Sequence, residues 1–283
     1  MTTVRNILRD FGIRPIKSLG QSFLEDNNVI NKILVISDVR ADDTIVEIGA
    51  GVGIMTELLA RKAKKVVALD IDPRMIGILR ERLADYPHVD VIHANVLEYD
   101  FSFAGTRLSS QKLKIIGNIP YNISSQILFH LLAYRHGISS MILMFQKELA
   151  DRLVAKPGTK DYGIPTVLVS MYTECSREMT IPRSCFYPQP TVTSSVIKMT
   201  VRGNPLIGIN NHKLFHEIVK AAFSKRRKTL LNNLRSSRVF GYSEKDIIAS
   251  LQDAGIDGKR RGETLTAEEF GKLSNVLLLK EKT

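Results

Sequence analysis

The 283-residue sequence has no tryptophan, only two cysteines, and no apolar run near the roughly 18 residues a membrane-spanning helix needs. The last two shortages each remove a class of protein. Cys175 and Cys185 stand in no CxxC or Cys/His grouping, so neither a zinc ribbon nor a redox motif is expected, and reduced thiols in the cytoplasm are the simplest reading. The first residues carry Arg5, Arg9, Arg14 and Lys17 without an apolar segment, which argues against a secretory signal, and Asp10 argues against an arginine-rich transit peptide. Acidic residues are also in short supply. Lys and Arg number 40 against 29 Asp and Glu, a net charge of +11, so an acidic partner is expected, nucleic acid or an anionic membrane surface. The excess is uneven, with 15 basic and 9 acidic side chains in residues 203–283.

What is present in quantity is apolar sequence, 44% of the chain, enough for one large domain and a smaller one. Apolar runs alternate with amphipathic segments at short spacing, the pattern of strands and crossover helices in a doubly wound, mostly parallel sheet. Strands are predicted at residues 44–48, 65–69, 89–93, 114–116 and 140–145, with a late alternating strand at 191–201. A loop-like Arg202-Gly203-Asn204-Pro205 then marks the expected boundary between a domain of residues 1–202 and a small all-helical domain of residues 203–283.

The first ligand signal is Glu47-Ile48-Gly49-Ala50-Gly51-Val52-Gly53, a glycine-rich turn between strand and helix where a ligand can approach the backbone closely. Asp70 ends the next strand, 21 residues after Gly49, where a carboxylate can accept both hydroxyls of a ribose; a solvated strand end is the plainer alternative. Asp72 is read as a helix cap ahead of Pro73. Asn95, after the third strand, is a turn residue or an amide for an adenine edge. These features suit a dinucleotide or S-adenosylmethionine equally.

The fourth strand separates the two. Its tip reads Gly117-Asn118-Ile119-Pro120-Tyr121. Methylation of an exocyclic amine needs acceptors for the amine hydrogens while the nitrogen becomes tetrahedral. Asn118 supplies one, and Ile119, pushed to extended geometry by Pro120, turns its carbonyl outward as a second. Tyr121 offers a ring on which a base can stack. Hydride transfer has no use for such a set.

Taken together, the motifs resemble one family end to end, the small-subunit ribosomal RNA adenine dimethyltransferases of the KsgA type. The resemblance runs through Leu19-Gly20-Gln21-Ser22-Phe23-Leu24, the Gly49 loop, residues 117–121 and Phe186-Tyr187-Pro188-Gln189-Pro190-Thr191-Val192-Thr193-Ser194. It continues through Phe223-Ser224-Lys225-Arg226-Arg227-Lys228-Thr229 and Arg261-Gly262-Glu263-Thr264-Leu265-Thr266. It implies a Rossmann-like class I methyltransferase domain and S-adenosylmethionine as donor, with no metal. Ser22, Leu24, Gly49, Gly51, Asp70, Asn95 and Asn118 would hold the donor, and Asn118, Ile119, Pro120, Tyr121 and Phe186 would serve the target base. Lys225, Arg226, Arg227 and Lys228, read as a helical face, would bind RNA. The implied substrate is small-subunit rRNA in an immature small subunit, where two adjacent adenines of the 3′-terminal hairpin loop are each methylated twice by a monomeric enzyme.

Two positions depart from the family pattern: Ser22 replaces a common Asn, and Asn95 a common Asp, which should change donor affinity rather than abolish chemistry. Gly262 stands where Ala is usual. By composition alone Phe186 reads as a core residue, and only the resemblance brings it to the base. The loop Lys156-Pro157-Gly158-Thr159-Lys160 is either near RNA or merely solvated. Two rivals remain: the large-subunit rRNA methyltransferases that confer macrolide resistance, and an assembly factor that keeps the fold without turnover.

Overall fold

The computed structural model describes residues 3–102, 112–237 and 241–280, which divide into two compact units: residues 1–150 with 176–201, and residues 151–175 with 202–283. Residues 151–175, assigned to the first domain by the boundary expected after residue 202, thus pack within the second unit.

In chain order the strands are β1 (Phe23–Leu24), β2 (Thr44–Ile48), β3 (Lys65–Asp70), β4 (Val89–His93), β5 (Leu113–Asn118), β6 (Ile138–Gln146), β7 (Thr173–Ile181), β8 (Phe186–Tyr187) and β9 (Ser194–Val201). The described α-helices are α1 (Val4–Asp10), α2 (Asn27–Ile36), α3 (Ile54–Ala60), α4 (Pro73–Arg82), α5 (Ser124–Ala133), α6 (Lys147–Leu153), α7 (Ile164–Tyr172), α8 (His212–Ala222), α9 (Leu230–Ser236), α10 (Glu244–Asp253) and α11 (Ala267–Leu278).

Seven strands form one sheet in the order β4-β3-β2-β5-β6-β9-β7. Its centre is a set of apolar runs: all five residues of β2 are buried, as are Met141 to Phe145 of β6. Strands buried on both faces lose the polar alternation of an exposed sheet. The strands β4, β3, β2, β5 and β6 run parallel, and β9 pairs antiparallel with β6. Chain order reverses at β2, which has β3 on one side and β5 on the other. Such a switch point opens a crevice beyond the carboxyl ends of the strands. The register brings Ile48 level with Leu69 and with Gly117, so the Gly49 loop, Asp70 and Asn118 emerge side by side at that edge.

β1 and β8 make a separate antiparallel pair, Phe23 opposite Tyr187 and Leu24 opposite Phe186. In the second unit every described element after β9 is helical. α8 buries Leu214, Phe215, Ile218 and Val219, and α11 buries Phe270, Leu273 and Leu277, with Phe223 and Phe270 ring to ring at 6.0 Å.

Candidate functional site

The carboxyl edge of the sheet holds a cleft of about 770 Å³, its open mouth included, lined by residues 19–23, Ile48, Gly49, Asp70, Asn95, Val96 and residues 118–121. An adjoining cavity of about 380 Å³ shares Phe23, Gly49 and Asn118 with it and adds Leu24 and Glu47. Of the expected site residues, the structure therefore gathers Ser22, Gly49, Asp70, Asn95, Asn118, Ile119, Pro120 and Tyr121 at the cleft, with Leu24 beside it.

The glycines are fixed by close approach. Gly49 has φ +73°, and a Cβ there would lie 2.9 Å from the Asn118 carbonyl oxygen, closer than such atoms approach in folded proteins. A Cβ on Gly51, at φ +57°, would meet the Phe23 ring at 2.8 Å. The segment around residues 19–23 is thus seated on the loop. Gln21 secures it by donating to Asp72 at 2.7 Å, while its own carbonyl oxygen accepts from the Ile16 amide. Asp72 caps α4 through the Arg74 amide, as expected, and serves as this anchor as well.

Asn118 is oriented by the same segment. Its Nδ2 donates to the Ser22 carbonyl at 2.7 Å; a carbonyl can only accept, so the amide is fixed with Oδ1 free of that bond. Among the described residues nothing donates to the Ile119 carbonyl, whose residue also lines the cleft. The Tyr121 hydroxyl is hydrogen-bonded to Ser194, which fixes the ring, and burial raises the phenol pKa above its ordinary value. Two acceptors and a ring held still are the set the sequence anticipates.

Asp70 sits mostly out of solvent, and burial pushes its carboxyl pKa up, opposed by amide donors. The Gly51 amide reaches Oδ2 at 2.8 Å and the Asp72 amide reaches Oδ1 at 2.9 Å, which leaves a lone pair on each oxygen. Gly51 serves the cleft through that bond and does not line it. At the next strand end, Asn95 Oδ1 accepts from the Leu97 amide at 3.1 Å and Nδ2 donates to Glu98 at 2.8 Å. Beside it, the Val96 amide has no acceptor among the described residues. Ser22 donates its hydroxyl to the Pro188 carbonyl at 2.9 Å, so only its acceptor capacity remains.

Three features differ from expectation or lie outside it. Phe186 is not at the cleft: its ring is 1% exposed and packs in the core with Leu24, Ile181 and Val196, because pairing with Leu24 across β1 and β8 turns it inward. Lys225, Arg226, Arg227 and Lys228 form no helical face. α8 ends at Ala222, and the four residues make an exposed turn closed by the Lys228 amide on the Lys225 carbonyl at 3.0 Å. Buried Asn233 holds that turn, donating to the carbonyls of Ala222 at 2.8 Å and Lys225 at 3.1 Å while accepting from the Ser224 hydroxyl. Finally, Glu47 is fully buried with Oε2 unpartnered, and desolvation pushes its pKa up to about 8. Its place at the head of the glycine motif is visible in the sequence; the unpartnered oxygen is not. Gln21 lies in the 19–24 motif and Ser194 at the end of the 186–194 segment, but nothing in their local sequence reveals partners 51 and 73 residues away.

The family profile described as "Ribosomal RNA adenine dimethylase" matches residues 14–277. The chain is 50% identical over 277 residues to "Ribosomal RNA small subunit methyltransferase A" of Syntrophus aciditrophicus strain SB, an alignment covering 98% of this chain and 99% of that one. Among solved structures it is similar to a dimethyladenosine transferase from Plasmodium falciparum, with 26% identity, a TM-score of 0.78 and coverage of 89% of this chain and 95% of that one. It is also similar to the 23S rRNA methyltransferase ErmE, with 26% identity, a TM-score of 0.68 and coverage of 90% and 99%.

Proposed function

Because this chain belongs to the ribosomal RNA adenine dimethylase family, we propose that it dimethylates N6 of two adjacent adenosines in the 3′-terminal hairpin loop of small-subunit rRNA, with S-adenosylmethionine as donor. It is an rRNA adenine dimethyltransferase whose relative at half identity is named for the small subunit. The substrate form is an immature small subunit, and the enzyme works as a cytoplasmic monomer.

The residues present suit that donor. Asp70 has acceptor capacity left for two ribose hydroxyls. The unused Val96 amide and the remaining lone pair of Asn95 Oδ1 offer a donor and an acceptor side by side, the pair an adenine edge requires. Gly49 allows close approach, and the orphaned Glu47 oxygen beside it suits an ammonium group. When bound, S-adenosylmethionine supplies a methyl group on an electrophilic sulfonium carbon.

The observation that carries the reading is the anchoring of Asn118 by the Ser22 carbonyl. An adenine amine is a weak nucleophile because its lone pair is delocalised into the ring. Asn118 Oδ1 and the Ile119 carbonyl accept its two hydrogens, and acceptance strengthens as positive charge develops on nitrogen, so the bonds favour the transition state over the ground state. Tyr121, a neutral phenol held by Ser194, gives the flipped base a surface to stack on. The methylated nitrogen sheds its proton to water, and no carboxylate is needed for the step. A second methylation repeats the geometry with one hydrogen fewer.

Transfer of labelled methyl groups to unmodified small subunits, deproteinised small-subunit RNA and large-subunit RNA, with products mapped by mass spectrometry, tests this. The expected product is dimethyladenosine in the small subunit. Label confined to large-subunit RNA would assign the chain the specificity named for ErmE, and binding without label would leave it an assembly factor.

A further inference from the structure

We infer that the loop of residues 156–160 and the turn of residues 225–228 form one phosphate-binding surface for RNA, with Arg226 as the fastener between them rather than a phosphate contact; this rests on the RNA substrate proposed above. The loop is far from the turn in sequence, and its own composition leaves it as well explained by simple solvation. In the helical unit it is tied down. The Gly158 amide donates to the Glu263 carbonyl at 2.7 Å, and the Arg226 guanidinium donates to the Lys160 carbonyl at 2.8 Å. The same guanidinium pairs with the Glu263 carboxylate at 3.4 Å. One arginine thus spans the loop, the turn and the segment at residue 263, a task suited to its forked donors.

Backbone contact supports the junction from beneath. A Cβ on Gly262 would lie 2.6 Å from the Ala222 carbonyl oxygen, so the chain at 262 reaches the end of α8 as glycine allows. Asn233 binds the same Ala222 carbonyl and that of Lys225. An alanine at 262 would force the two segments apart.

The consequence is a concentration of one charge. Lys156, Lys160, Lys225, Arg227, Lys228 and Arg261 are exposed, and none has an ion-pair partner among the described residues. Of the carboxylates here, Glu263 is occupied by Arg226 and Asp161 lies exposed beside Lys160, so six unpaired cations stand against one unpaired carboxylate. A solvated face ordinarily intersperses both signs, whereas like charges held together repel until a polyanion offsets them. Fixing the loop backbone while leaving its lysines free is what phosphate binding requires, since such contacts tolerate flexible side chains but need charge in place.

Salt dependence of binding to a small-subunit rRNA fragment, measured with the full chain, tests the assignment. K156A/K160A should lower the slope of log K against log salt by about 1.5, the share of two phosphate contacts. R226A should lower it by more than the 0.7–0.9 or so of a single contact, because the loop is released with it. Combining all three substitutions should then cost less than the two losses added. R226K keeps the charge but not the fork, and should resemble R226A. Thermal melts confirm that each variant is folded, and K225A/R227A/K228A serves as the comparator. An unchanged slope for K156A/K160A beside a reduced slope for the comparator overturns the joint surface while leaving the RNA substrate intact. Additive losses overturn the fastening role of Arg226. Wild-type protein that shows no salt-dependent binding overturns the inference and the RNA reading together.

Discussion

The cleft and the basic surface handle polar groups in opposite ways. At the cleft nearly every polar side chain has a protein partner and one capacity left over: Asn118 spends its nitrogen on Ser22 and keeps its oxygen, and Asp70 spends one lone pair of each oxygen on an amide. At the basic surface the partners belong to main-chain carbonyls, to Asn233 and to Arg226, and the cationic ends hang free. Chemistry at a weak nucleophile gains from atoms held in position, since alignment made in advance is not lost in the transition state. Phosphate binding gains from charge held nearby, and position within an ångström adds little. Distinct physical demands have produced distinct kinds of order in one chain.

Asn118→Ala tests that contrast most severely. Removing an acceptor used in the transition state should lower the methyl-transfer rate about a thousandfold, near 4 kcal/mol, with RNA affinity little changed. Single-turnover transfer alongside RNA binding would show it, and an equal loss in both would mean that the cleft grips RNA rather than aligning an amine.

Glu47, in the cavity adjoining the cleft, is the exception, a carboxyl with an unpaired buried oxygen, and it sharpens the contrast through pH. Burial raises its pKa from the ordinary 4.5 to about 8, so between those values the folded state holds a proton that the unfolded chain has released. The contribution of this group to stability is therefore fully present below about pH 4.5 and is lost as pH rises towards 8, by about 1.4 kcal/mol per pH unit. Glu47→Gln removes that dependence. Whatever constant penalty the amide brings, the stability difference between variant and wild type should shift in favour of the variant by about 3 kcal/mol from pH 4.5 to 7. Urea unfolding at several pH values measures it, and a difference independent of pH would show that the carboxyl is ionised in the folded protein.

How much of this was legible depends on where the information lies. Strands 44–48 and 89–93 match residue for residue, and the tips that carry Asp70 and Asn118 fall where their apolar runs end. The strand at Thr173–Ile181 was missed because it is mostly exposed, with Glu174, Ser176, Arg177 and Glu178 interrupting the apolar signal. β1 and β8 are two residues each, too short for any periodicity. Composition placed Phe186 in the core correctly, and the resemblance drew it towards the base; the pairing that decides between them joins residues 162 apart, Leu24 and Phe186. The run 225–228 has good helix formers, yet Asn233 and the end of α8 impose a turn, a tertiary effect that propensity cannot register. The cleft's residue types were visible because they sit in contiguous motifs. Their hydrogen bonds were not, since most join distant segments.

Asn233 offers the gentlest test, on the side of the molecule where exactness matters less. The side chain is 1% exposed and satisfies two carbonyls and a hydroxyl, so Asn233→Ala strands buried acceptors and should cost about 2 kcal/mol of stability. The basic turn would then lose its hold without losing any charge. If phosphate binding depends chiefly on charge, affinity for small-subunit RNA should weaken only several-fold, and transfer at saturating RNA should keep its rate. Steady-state kinetics with varied RNA separates the two quantities. A raised KM with unchanged kcat upholds the division between placed atoms and placed charge, whereas a fall in kcat would mean that the order of the turn reaches the chemistry after all.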